Sequence, residues 1–186
     1  MMSRIEILIG GFGGQGILLA GWILGNAAML RGYNSTYLPS YGPEARGGRC
    51  ASRVVIDCER EVDCPLVRNA DYLIVMYQEA YDSYIDLLKP GGVLIYDNDL
   101  VTLDERAKKA KIYAVPATKM AESVGRRIVA NIVMIGAFTA ISNLIDKETV
   151  KRSVIEGVRG RYVDLNVRAF EVGYEYGRKL VESEKK

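Results

Sequence analysis

The chain has 186 residues, 49% apolar and 26% charged, which is one domain's worth of soluble globular protein and excludes a disordered or fibrous class. Its 25 Lys and Arg stand against 23 Asp and Glu, a formal charge of +2, so composition advertises no polybasic surface for nucleic acid. With no histidine and three cysteines, the chain lacks a Ser-His-Asp triad, a His-ligated zinc, an imidazole proton shuttle and the four thiolates of an iron–sulfur cluster.

Residues 5–10 (IEILIG) read as a buried parallel strand, followed by a glycine loop at 11–16 and an apolar helix that Gly32 closes. A β-rich run at 33–38 stops at Pro39, and a glycine-rich loop follows at 41–48. Residues 49–57 alternate as a strand with one wet face, and 72–77 (YLIVMY) as a buried strand. A helix at 78–88 places Tyr77, Tyr81 and Tyr84 near one face, serving the core or a partner. Residues 89–92 (KPGG) form a turn into a strand at 93–97, and 111–115 is the last strand, ended by Pro116.

From 117 onward the pattern is helical. Residues 126–145 are the most apolar stretch, but it is interrupted and lacks an aromatic belt, so it reads as a buried helix rather than a membrane span. Asp146 caps the next helix, with Val150, Val154, Ile155 and Val158 as its apolar stripe. Asp164 or Asn166 caps the last one, which carries Phe170, Tyr174, Gly177 and Val181 on one face, and the tail at 182–186 frays. The pattern predicts one α/β domain over residues 1–186. It has a mainly parallel, Rossmann-like sheet, helices on both faces and a helical C-terminal third.

The spacing Gly11-x-Gly13-x-x-Gly16, after a strand and opening a helix, suits close approach of backbone N–H groups to an anion. NAD binding also needs an acid at the end of the second strand, where Tyr37-Leu38-Pro39-Ser40-Tyr41 supplies none. That leaves an anion, a partner's cofactor, or close helix–strand packing, and Gln15 at the first helical turn favours a ligand over packing. In the second loop Tyr41, Gly42, Glu44, Arg46, Gly47 and Gly48 combine backbone freedom with a charged pair, and Arg46 offers a fork for a carboxylate or phosphate. Both loops leave the carboxyl edge of the sheet, where open α/β sheets bind ligands. The candidate cofactor-facing set is thus Gly11, Gly13, Gly14, Gln15, Gly16, the six residues of the second loop, and Asn131. Asn131 is costly to bury unpaired, so it either tethers loop backbone or meets a ligand. The set contains no catalytic residue and no metal ligand.

Cys50, Cys58 and Cys64 make no CxxC pair. Their odd number, without a basic leader before a long apolar stretch, points to a reducing cytoplasm with packed thiols. The 12 tyrosines against 3 phenylalanines suit a chain with interfaces.

GFGGQG (11–16) followed by YGPEARGG (41–48) resembles the gamma subunit of 2-oxoacid:ferredoxin oxidoreductases. The resemblance continues through DCP (63–65), ADYLI (70–74), KPGGVLI (89–95), NIVMIG (131–136) and AFEVGY (169–174), nearly the whole chain. It implies a subunit that is inactive alone, in a complex that oxidatively decarboxylates a 2-oxoacid to an acyl-coenzyme A and reduces ferredoxin. It further implies that thiamine diphosphate, magnesium and the iron–sulfur clusters belong to the other subunits or domains, the partners being alpha and beta subunits with a delta subunit left open. This chain would then serve assembly and the coenzyme A region, with no nucleic acid and no membrane. The YGPEARGG form is more similar to the 2-oxoglutarate and branched-chain types than to the pyruvate type, and 2-oxoglutarate is favoured. A self-sufficient nucleotide- or flavin-dependent oxidoreductase and a purely structural subunit are the alternatives.

Overall fold

Strand β1 (Arg4–Phe12) is apolar on both faces because it lies inside a six-stranded sheet of order β2-β3-β1-β4-β5-β6. The computed structural model describes residues 4–41, 48–62 and 64–184. Helix α1 (Ile17–Leu30) follows, then β2 (Asn34–Tyr41), β3 (Arg49–Asp57) and β4 (Ala70–Val75). Helix α2 (Gln78–Tyr84) precedes β5 (Leu88–Asp97) and β6 (Lys111–Val115). The helices α3 (Ala117–Val124), α4 (Ala130–Ser142), α5 (Lys147–Gly157) and α6 (Val163–Ser183) complete the chain.

β1, β4, β5 and β6 pair in parallel, whereas β3 runs antiparallel to both β1 and β2. The sheet is therefore mainly parallel with one opposed strand. β3 has both faces buried, not one wet face, because α1 covers one side and α2 the other. β2 continues through Pro39 instead of stopping there. Pro39 sits opposite Ser52 on an outermost strand, where a missing N–H costs little. Residues 89–92 are not a separate turn but fall inside β5, where the pairing with β4 shifts register between Ala70 and Tyr72.

One face of the sheet carries α1, α3, α4, α5 and α6 over Ile5, Ile7 and Ile9. The other carries α2 over Leu8, Leu73 and Val75. The polypeptide leaves α1 through a Schellman turn, with Gly32 N–H donating to Met29 O and Tyr33 N–H to Ala28 O. Buried without a break from Ala130 to Thr139, α4 is the central helix that its composition suggests. No helix of the described residues is long and apolar enough to cross a membrane.

Asp146 caps α5 by accepting from Thr149 N–H at 3.0 Å. In the expected stripe Val150 and Val154 are buried, but Ile155 is exposed because α5 turns that position away from α1. Neither Asp164 nor Asn166 caps α6. The helix starts at Val163, and Asn166 sits in its first turn with Nδ2 donating to Tyr162 O at 2.8 Å. The tail does not fray through Glu184, whose carboxylate accepts from the Tyr113 hydroxyl at 2.8 Å and pairs with Lys111. Of the thiols, Cys50 is packed, while Cys58 and Cys64 are exposed because both fall in the irregular β3–β4 connection.

Candidate functional site

The glycine motif begins inside β1, where Gly11 pairs with Cys50 of β3, and ends at Gly16, which precedes α1 with φ 72°. Only a residue without a Cβ takes that backbone cheaply. Two side-chain amides fill the turn. Gln15 accepts from Phe12 N–H at 2.9 Å through Oε1 and donates to Met76 O at 2.8 Å through Nε2, bracing the ends of β1 and β4. Both ends of its amide are thus engaged by the chain's own backbone, while the side chain also lines a cavity. Asn131, 3% exposed in α4, donates from Nδ2 to Gly16 O at 3.0 Å. It makes the loop tether that its apolar surroundings require.

These two amides explain two glycines of the fingerprint. A Cβ on Gly16 would overlap the Asn131 amide nitrogen, and one on Gly11 would overlap Gln15 Oε1 and the Ile17 side chain. Gly14, with φ 113° and open space around it, is the glycine that faces outward. On the β3 side, an antiparallel strand replaces the parallel neighbour that carries a ribose-binding acid in dinucleotide folds. At the carboxyl edge β1 meets Arg49, the first residue of β3, as the partner of Phe12.

The second loop reaches the same edge. Tyr41, 67% exposed, ends β2 opposite Cys50, and Gly13 N–H donates to Gly48 O at 3.0 Å, tying the two loops together. Gly42, Glu44, Arg46 and Gly47 lie outside the described residues.

Two cavities flank the first loop. One of about 450 Å³ has Leu19, Val129, Val158 and Leu165 as apolar walls, Gly14, Gly16, Asn131 and Asn166 beside them, and Arg126 and Arg159 among its lining. The other, about 390 Å³, is lined by Phe12, Gln15, Met76 and Thr118 with Arg127. Gly14 and Ile128 belong to both. The arginines were missed by sequence reasoning, although the pair Arg126-Arg127 directly ahead of an apolar helix and the run Arg159-Gly160-Arg161 are visible signals.

Beside Thr118, Asp97 closes β5 fully buried. Its carboxylate accepts from the Thr118 hydroxyl at 2.6 Å and the Thr118 N–H at 3.1 Å. Burial pushes its pKa up, partly offset by the Thr118 hydroxyl. This carboxylate secures the start of α3. Among the described residues no three His, Cys, Asp or Glu side chains gather where they could hold a metal ion.

The family model described as pyruvate ferredoxin/flavodoxin oxidoreductase matches residues 6–176. The 2-oxoglutarate synthase subunit KorC of Methanocaldococcus jannaschii is 44% identical over 180 residues, 95% of this chain and 96% of the relative. The KorC subunit of Methanothermobacter thermautotrophicus is 43% identical over 179 residues, 92% and 94% of the two chains. Among solved structures, the gamma subunit of a keto/oxoacid ferredoxin oxidoreductase from Geobacter sulfurreducens PCA superposes with a TM-score of 0.82. It is 39% identical, with 93% of this chain and 98% of that one covered.

Proposed function

Since the chain belongs to the pyruvate ferredoxin/flavodoxin oxidoreductase family, we propose that it works as the gamma subunit of a 2-oxoglutarate:ferredoxin oxidoreductase. The observation that carries this reading is the end-to-end match to two 2-oxoglutarate synthase subunits of the same length class. The complex converts 2-oxoglutarate and coenzyme A to succinyl-coenzyme A and carbon dioxide, with the electrons passed to ferredoxin. Thiamine diphosphate, magnesium and the clusters reside on the other subunits of the complex, and this chain contributes no reacting group.

Its part is positional. The carboxyl edge, where Gly14 stands open and the segment from Tyr41 to Gly48 emerges, faces the alpha and beta subunits next to coenzyme A and the thiamine site. Gln15 and Asn131 hold that edge rigid, and Arg46 supplies a guanidinium fork for a carboxylate or phosphate. In a complex reconstituted with alpha and beta subunits, kcat/KM for 2-oxoglutarate should exceed that for pyruvate and 2-oxoisovalerate; a preference for pyruvate overturns the substrate assignment. Arg46→Ala should leave the isolated chain folded and lower turnover of the complex by about tenfold, a loss typical of one charge-assisted contact. Unchanged kinetics would remove the second loop from the site.

A further inference from the structure

Two short 3-10 turns, Arg127–Val129 and Gly160–Tyr162, contribute to the larger cavity from different parts of the chain. Each combines the same two features. Arg126, Arg127, Arg159 and Arg161 are exposed and take part in no ion pair among the described residues, whereas Lys147 and Lys151 of α5 are paired with Glu171. Beside them, large apolar side chains stand in solvent, Ile128 at 63% and Tyr162 at 40% exposure. Between the turns lie the apolar walls of Leu19, Val158 and Leu165.

A small ligand seated in the cavity would neutralise guanidinium groups but leave the outer faces of Ile128 and Tyr162 in water. A polypeptide crossing both turns would cover them, and exposed Arg and Tyr around an apolar centre are the usual anchors of such contacts. The floor agrees. Asn131 and Asn166, 3% and 7% exposed, spend Nδ2 on the Gly16 and Tyr162 carbonyls, and neither Oδ1 makes a hydrogen bond among the described residues. Two amide oxygens are acceptors, matched to backbone N–H groups of an incoming chain.

We propose that this end of the molecule docks an acidic segment of a partner subunit, which lays carboxylates against Arg126 and Arg159 and seats one apolar side chain in the cavity between the two turns. The proposal rests on the reading of the chain as a subunit and names the surface that joins it to the complex.

The test is assembly of the full chain with purified alpha and beta subunits, measured by titration at several salt concentrations. Arg126→Glu/Arg159→Glu should keep the wild-type melting curve, weaken assembly by about tenfold or more, and flatten its salt dependence. Arg68→Glu, ahead of β4 at the opposite edge of the sheet, should assemble as wild type does. If the double variant misfolds, Ile128→Ala serves instead and should weaken assembly with its fold intact. Wild-type affinity in the folded variants overturns the docking surface and leaves the subunit assignment standing. Stabilisation of the isolated wild type, but not the double variant, by inorganic pyrophosphate or coenzyme A, with assembly unchanged, reassigns the cavity to a small anion. A wild-type chain that joins neither subunit overturns the proposed function, and this surface with it.

Discussion

A methyl group on Gly16 would press on the Asn131 amide while the backbone holds φ at 72°, so Gly16→Ala combines strain with a clash. A left-handed non-glycine residue costs roughly 1–2 kcal/mol, and the overlap adds to it, so the variant should lose about 2 kcal/mol in urea unfolding. Wild-type stability would mean that the loop moves freely. Gln15→Glu separates two roles for that side chain. A carboxylate cannot donate to the Met76 carbonyl, so the substitution should destabilise the isolated chain by about 2 kcal/mol. Full stability combined with a dead complex would instead make Gln15 a ligand contact. The tether role of Asn131 was legible because an amide in so apolar a helix must find a partner nearby. The brace made by Gln15 was not, since its partner Met76 is distant in sequence and is reached only when β4 aligns beside β1.

At the scale of elements, α4 and α6 approach so closely that a Cβ on Gly173 would overlap the Val133 carbonyl, which is backbone and cannot turn aside. Gly173→Ala should therefore cost about 3 kcal/mol, the upper range for overpacking, read as a lowered denaturation midpoint. Asp146→Ala, which removes the Thr149 cap and an exposed pairing with Arg31, should cost about 1 kcal/mol. If the order of the two were reversed, close packing of α6 on α4 would not be what holds the C-terminal layer. Helices and strands were readable wherever a local signal sufficed: the Asp146 cap, the apolar run of α4, the strand Lys111–Val115. Strand order was not, because the antiparallel β3 enters between β1 and β2 through pairings that no local pattern encodes. The arginines at 126 and 159 likewise meet only after α4, α5 and α6 have packed.

For the whole molecule, the absence of histidine sets the pH response. No imidazole titrates between about pH 5 and 8, so unfolding free energy should be nearly flat there. Below that range several carboxyls are held under their ordinary values: Asp104 by Arg106 and Tyr81, Asp57 by the N–H groups of Glu59 and Arg60, Glu184 by Lys111. Unfolded carboxyls bind protons near pH 4, before these folded ones do, so stability is present above that value and lost as pH falls through the lower folded values. Asp97, raised by burial, acts in the opposite direction but is a single group. Denaturant midpoints from pH 3 to 8 should show a plateau and then an acid-side fall; a marked step near pH 6.5 would contradict this.

Under the proposed function, reactivity lies in companion subunits and this chain completes their site. The most direct measurement is coenzyme A-dependent ferredoxin reduction by 2-oxoglutarate, assayed with the purified chain, with the alpha and beta subunits, and with all three together. The chain alone should give no turnover, and full turnover should appear only when it joins the others. Oxidation of 2-oxoglutarate by the isolated chain, or undiminished turnover by the alpha and beta subunits without it, would overturn the division of labour between this chain and its companions.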